Sequence, residues 1–173
     1  MKRLICAFGA LTFTACTALV PSTLGQLMTL TPLTADPEAI ALQLTLPDGA
    51  GIMPGSAAMV LEATQNGETT SDTFVLEQSG DIFSVAASDL SRLRARQAML
   101  RAAEEADPDG VSGALSLTAG PCQTGDNLSV DARISVGMRL AVDGPFLPLV
   151  RNGPLSAVFD EAEIAAWPPC PMP

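Results

Sequence analysis

Cysteines, carboxylates and arginines are the side chains available for chemistry in this chain. The thiols are Cys6, Cys16, Cys122 and Cys170. Histidine and tyrosine are absent, and the only lysine is Lys2. Without histidine there is no imidazole to act as general base or metal ligand. Without a lysine past Lys2 there is no Schiff base and no Ser–Lys pair. An enzyme would have to use two close carboxylates, and the sequence gives no distance between acids. Beyond residue 15 the aromatics are Phe74, Phe83, Phe146, Phe159 and Trp167. That is a poor supply for stacking sugars or bases. The expectation is a chain with no catalytic residue and no cofactor, a carboxylate hydrolase being the remote enzymatic option.

Three clusters could still bind something. Glu105, Asp107 and Asp109 stand at alternate positions ahead of Gly110. Acids so spaced resemble the first half of a calcium loop of the EF-hand type. The second half fails, since Ser116 stands where a bidentate glutamate is needed. The plainer reading, and the favoured one, is a helix end followed by a turn with solvated acids. Arg92, Arg94, Arg96 and Arg101 are four of the seven positive charges past residue 15, and Arg92 and Arg96 share a helix face. That face could take an anion or an acidic partner, or be solvated with local ion pairs. Residues 144–154 run GPFLPLVRNGP. They are expected to form an apolar loop in which Phe146 and Arg151 could contact a partner, or which packs over the end of a core.

The N-terminus is more explicit. Lys2 and Arg3 precede a short apolar run that ends near Ala15. This is the layout of a secretory signal, too short to span a bilayer. Residues 13–16 read Phe-Thr-Ala-Cys, so Phe13 stands three before Cys16 with two short residues between. The stretch resembles the lipobox of bacterial lipoproteins, in which leucine is usual at the Phe13 position. The resemblance covers only these sixteen residues. It implies cleavage before Cys16, a diacylglycerol thioether on its sulfur and a palmitate-like acyl chain on its amino group. Several acyl chains give stable membrane attachment where one does not. Thr17 is not the aspartate of inner-membrane retention, which by analogy implies the periplasmic face of the outer membrane. The alternative is an ordinary signal cleaved after Ala18.

Three units follow: a signal peptide at 1–15, a lipid-anchored tether at 16–38 and one β-rich domain at 39–173. Past residue 15 there are seven arginines against the nineteen acids, an excess of twelve negative charges. Nucleic acid would repel such a chain. Its expected contacts are a membrane, through the anchor, and another envelope protein. Cys122 and Cys170 remain as an even pair, which in an oxidising compartment is expected to form a disulfide.

Apolar alternation must position these groups. Ile40, Leu42, Leu44 and Leu46 alternate with other residues as in a half-buried strand. Further strands are expected at 55–64, 73–78, 82–86 and 112–119, with an Asn66-Gly67 hairpin turn. Residues 128–142 alternate eight times and predict one long strand, bent at Gly137. Residues 88–106 are free of Gly, Pro, Val and Thr. They predict one helix with Ser88 as its cap and a narrow apolar stripe of Leu90, Leu93, Leu100 and Ala103 interrupted by Gln97. A short helical turn is expected at 160–166. The expected fold is mainly β: an antiparallel β-sandwich, immunoglobulin-like topology being one option, with one amphipathic helix packed on it. The leading functional expectation is a non-enzymatic interaction or structural module, and the alternative is a module for a small ligand or calcium.

Overall fold

The computed structural model describes residues 33–125 and 128–171. The signal segment, Cys16 and the first part of the tether lie outside the described residues. The fold is mainly β, with nine strands and one long helix. β1 (Ala41–Thr45) and β2 (Ala50–Ile52) are followed by β3 (Ala58–Gln65), β4 (Glu68–Ser79) and β5 (Ile82–Val85). Helix α1 (Leu90–Ala106) comes next, then β6 (Val111–Thr118), β7 (Pro121–Gln123), β8 (Arg133–Arg139) and β9 (Leu147–Pro154). A 3-10 turn (Leu155–Ala157) and the short helix α2 (Glu161–Ala165) end the chain.

Seven strands join in one antiparallel sheet in the order β6-β3-β4-β5-β1-β8-β9, and β2 pairs with β7 in a separate ribbon. The strands are therefore not shared evenly between two facing sheets. The alternation in β1 sets its register. Leu42 lies opposite Phe83 on one side and Met138 on the other, and all three are buried. The β3–β4 hairpin closes at Asn66 (φ 53°) and Gly67 (φ 81°). Two left-handed residues in a row are what a two-residue turn needs to match the twist of its strands. β4 is long because it serves two partners: residues 68–75 pair with β3 and residues 76–79 with β5.

Helix α1 lies on this sheet, as its narrow stripe requires. Leu93 and Leu100 join Met59, Leu61, Phe74, Leu76, Phe83 and Val85 in the main core. Gln97 does not interrupt the buried stripe but belongs to it. It is 4% exposed and donates from Nε2 to the Ala35 carbonyl at 3.0 Å. Leu33 and Ala35 also rest on the core, and Pro37 is buried. Packed structure thus begins ahead of residue 39, where the domain was expected to start. A second, smaller cluster holds Ile134, Leu155, Ile164 and Trp167.

Three local expectations are corrected. Ser88 does not cap α1. Asp89 is the N-cap residue, and its side chain leaves the helix to accept the Val75 amide at 2.8 Å. The long strand of 128–142 shrinks to Arg133–Arg139. Leu128 and Val130 still pack on the second cluster, but β1 ends at Thr45 opposite Ser135, so no neighbouring strand continues the ladder along that side. A strand needs a hydrogen-bonded neighbour as well as an apolar face. The register does shift beside Gly137, where a bend was expected. Residues 147–154 form the edge strand β9 and not a loop. Pro148 and Pro154 are tolerated there because an edge strand has one side without ladder bonds. The ribbon β2–β7 was not expected at all; three-residue strands carry too little periodicity to be seen.

Candidate functional site

Among the described residues, an apolar chamber of about 440 Å3 is enclosed. Its floor is the helix-bearing side of the sheet. The row Leu42 and Leu44 on β1, continued by Leu46 just after it, lies beside Ile134 and Val136 on β8, with Leu76 and Phe83 on the other side. Its cover is the ribbon, through Ala50, Gly51, Ile52 and Pro121, together with Leu155, Val158, Phe159 and Trp167 from the C-terminal segment. The lining therefore draws on both hydrophobic clusters and lies between them. Only Thr118 and Trp167 bring a polar side-chain atom to it, and the Thr118 hydroxyl donates to the Ala58 carbonyl at 3.4 Å.

The size of this space matters energetically. At about 24 cal/mol per Å3, a closed void of that volume would cost on the order of 10 kcal/mol. That is a typical domain's whole stability. The chamber is instead partly open to solvent, and its lining includes the exposed Leu117 and Val158. Water entering it finds few groups to bond, and a buried water wants about three. An apolar molecule loses nothing by entering.

The cover is held by several devices. Cys122 on β7 is disulfide-bonded to Cys170, with Cα atoms 4.9 Å apart. Around this bond, Gln123 N–H donates to Pro168 O and Cys170 N–H to Gln123 O, both at 2.9 Å. Gln123 Nε2 donates to Trp167 O at 3.1 Å. Trp167 meets Phe159 edge-on, ring centroids 5.1 Å apart. Helix α2 has a full capping box, with Asp160 accepting from the Glu163 amide and Glu163 accepting from the Asp160 amide. A short helix of this kind needs such an end to persist.

The other sequence candidates fall elsewhere. Arg92 and Arg96 do share a face of α1, and that face is turned to the chain's own acids. Arg92 lies 4.3 Å above the Phe74 ring, bonds the Thr73 carbonyl and pairs with Asp89 at 3.1 Å. Arg96 is 11% exposed, lies 2.9 Å from Asp72 and bonds Thr70 Oγ1. Arg94, on another side of the helix, pairs with Glu38 at 2.5 Å and Asp36 at 3.6 Å, which holds its pKa above the usual arginine value. The Val75 amide, and after it Arg92, hold the Asp89 carboxyl below the usual aspartate range.

Glu105 lies in the last turn of α1, and Asp107 accepts the Gly110 amide at 3.1 Å, closing the expected turn. Among the described residues no three acidic or sulfur ligands converge as a metal site. Phe146 sits against Gly137 with the Arg139 guanidinium 5.2 Å above its ring. Arg151 is exposed on β9, so the two residues expected on one loop belong to a strand and the segment before it. Arg133 reaches the Asn152 carbonyl at 3.3 Å and not an acid.

Sequence reasoning placed the inward rows of β1 and β8 correctly and missed that they enclose a space. The one available signal was the tail itself, a lone tryptophan beside the cysteine that ties it down. No protein-family model, no curated protein and no solved structure matches the chain.

Proposed function

We propose that this is a lipid-anchored, non-enzymatic protein of the bacterial cell envelope that binds a small apolar ligand in the chamber. The carrying observation is the chamber: about 440 Å3 of space lined almost wholly by apolar side chains and open to solvent. Binding pockets for small molecules are typically about 300–1,000 Å3 and mostly apolar. Export and anchoring rest on the signal-like N-terminus and the lipobox-like residues 13–16. They support a location at the periplasmic face of the outer membrane.

The partner reading has less support from Arg92 and Arg96, because both guanidinium groups pair with the chain's own acids. An acidic partner would have to displace Asp72 to reach Arg96. The calcium reading loses support in the same way, since Asp107 is engaged in its own turn.

The test has two arms. The full-length protein should bind an environment-sensitive apolar dye with a saturable signal. Leu44→Asp, which sets a charge in the lining, should abolish that signal while the far-UV circular dichroism and the disulfide persist. Failure of the unaltered protein to bind the dye would remove the ligand-binding reading. Separately, intact mass should show acyl chains, and Cys16→Ser should release the protein from membranes. An unmodified mass would remove the anchor.

A further inference from the structure

We propose that β6 is a docking edge for a second copy of this chain, paired antiparallel about a two-fold axis at Ala114. The two edges of the seven-stranded sheet are built differently. β9 carries Pro148, Pro154 and the exposed Arg151, and its register against β8 shifts twice. Prolines, charges and bulges are what keep an edge from pairing. β6 has no proline and no charged residue, and it runs beside β3 from Val111 to Thr118 without a shift.

The direction of its backbone groups follows from β3 and β4. Leu76 N–H donates to Ala57 O at 2.9 Å. Val75 sends its amide to Asp89 and its carbonyl to the Ala86 amide, both away from β3. In an antiparallel ladder, successive residues bond to opposite sides. Ala58, Val60, Glu62 and Thr64 therefore bond towards β6, where they meet Thr118, Ser116, Ala114 and Ser112. The alternate residues Val111, Gly113, Leu115 and Leu117 turn their amides and carbonyls outward. Among the described residues no strand or loop bonds to them.

Two such edges exchange hydrogen bonds only where outward residues oppose outward residues. The register that uses all four sets Val111 against Leu117 of the copy and Gly113 against Leu115, so Ala114 faces itself. The pairing is self-complementary, as a two-fold interface must be. Its side chains agree. Leu117 is among the exposed large hydrophobic residues, and Val111 of the copy covers it. Leu115 meets Gly113, which has no side chain to obstruct it. Leu117 also lines the chamber, so the copy adjoins that wall. Charge selects the antiparallel sense. Each copy carries an excess of twelve negative charges past residue 15, and Asp107 and Asp109 lie just ahead of β6. Antiparallel pairing sets Asp109 about ten positions from Asp109 of the copy, on the order of 30 Å along the strands. The screening length at physiological salt is about 8 Å. Parallel pairing would bring the same acids side by side.

The experiment oxidises the full-length protein in detergent solution, with Ala114→Cys, Ser112→Cys or Ser116→Cys, and reads non-reducing gels. All three positions are exposed, and the unaltered protein gives the background from its own cysteines. Facing residues of a non-hydrogen-bonded pair have Cα atoms about 4.5 Å apart, within the range a disulfide spans. Ala114→Cys should give a covalent dimer of twice the mass. Ser112→Cys and Ser116→Cys should give none singly and should crosslink when mixed, because residue 112 faces residue 116 of the copy. Crosslinking of Ala114→Cys should quicken between about 0.01 M and about 0.15 M salt, as screening relieves the repulsion of two acidic chains. No dimer from Ala114→Cys, with the far-UV circular dichroism and the Cys122–Cys170 bond retained, would overturn the proposal. So would equal crosslinking at all three positions. In native membranes, capture of a different protein by Ala114→Cys in place of the dimer would show that a foreign strand takes this edge, and would overturn pairing with a copy.

Discussion

The carboxylate of Asp89 accepts a hydrogen bond from the backbone amide of Val75 at 2.8 Å. The residue that begins α1 is thereby fastened to β4, across fourteen positions of chain, and gives up its ordinary role of bonding the first amides of its own helix. Arg92, one turn on, completes the junction by reaching Asp89, the Thr73 carbonyl and the Phe74 ring together. Helix and sheet are joined here by polar contacts at the rim of an apolar interface.

This junction makes stability depend on acid. The folded-state pKa of Asp89 is depressed, first by the Val75 amide and then by Arg92. Its contribution is therefore full above the ordinary aspartate value, near pH 4, and is lost as pH falls through the lower folded value. Asp89→Asn should cost about 1 kcal/mol at neutral pH and reduce the loss between neutral and strongly acidic solution. Urea denaturation at several pH values measures both. An Asn variant with an unaltered acid slope would show that the junction is not the cause.

Charge reversal on α1 should act on folding. Arg96 is 11% exposed and faces Asp72, so Arg96→Glu should destabilise by on the order of 2 kcal/mol in thermal or chemical unfolding. Arg94, exposed and paired only with Glu38 and Asp36, should tolerate replacement with little change. Equal effects at the two sites would mean that burial of the Arg96 pair contributes nothing.

Gln97→Leu fills the same stripe position with an apolar group. It should nevertheless destabilise, by about 1–2 kcal/mol, because the Ala35 carbonyl loses the amide that serves it. Hydrogen exchange in residues 33–38 should rise at the same time. A stabilised variant would mean that the carbonyl finds another donor.

The disulfide offers a paired experiment with Gly51. Breaking a bond that spans 48 residues should cost about 3–4 kcal/mol on the chain-entropy account. A Cβ at Gly51 would sit 2.7 Å from Cys170 Sγ and 3.1 Å from Cys122 Sγ. Gly51→Ala should therefore destabilise the oxidised protein clearly and the Cys122→Ala/Cys170→Ala protein much less. The double-mutant cycle measures that coupling, and additive effects would sink the proposed clash.

Much of the sheet could be read from side-chain alternation. The rows of β1, the Asn66-Gly67 turn and the extent of α1 each depend on neighbours in sequence, and each was legible. What failed depended on partners distant in the chain. Alternation from Leu128 to Val142 records that one side is apolar, and not whether another strand lies alongside. Pro148 and Pro154 suggested a loop because an edge position is a property of the whole sheet. Gln97 looked like an interruption because its acceptor, Ala35, lies 62 residues away. Cys122 and Cys170 were legible as a pair by count alone. The chamber was not, since a space is defined by what surrounds it, and part of its boundary comes from a ribbon whose strands are three residues long.

The bond between Cys122 and Cys170 also changes how the molecule would carry tension. It closes a covalent ring that contains β8, β9 and α2. A pull between Leu33 and Cys170 crosses the sulfurs directly and returns through β6, α1 and the earlier strands. Residues 123–169 lie off that route. Ile134, Val136, Leu155 and Trp167, a large share of the chamber wall, are thus mechanically sheltered. A domain pulled between Leu33 and Cys170 would surrender the strands ahead of Cys122 before stretching residues 123–169.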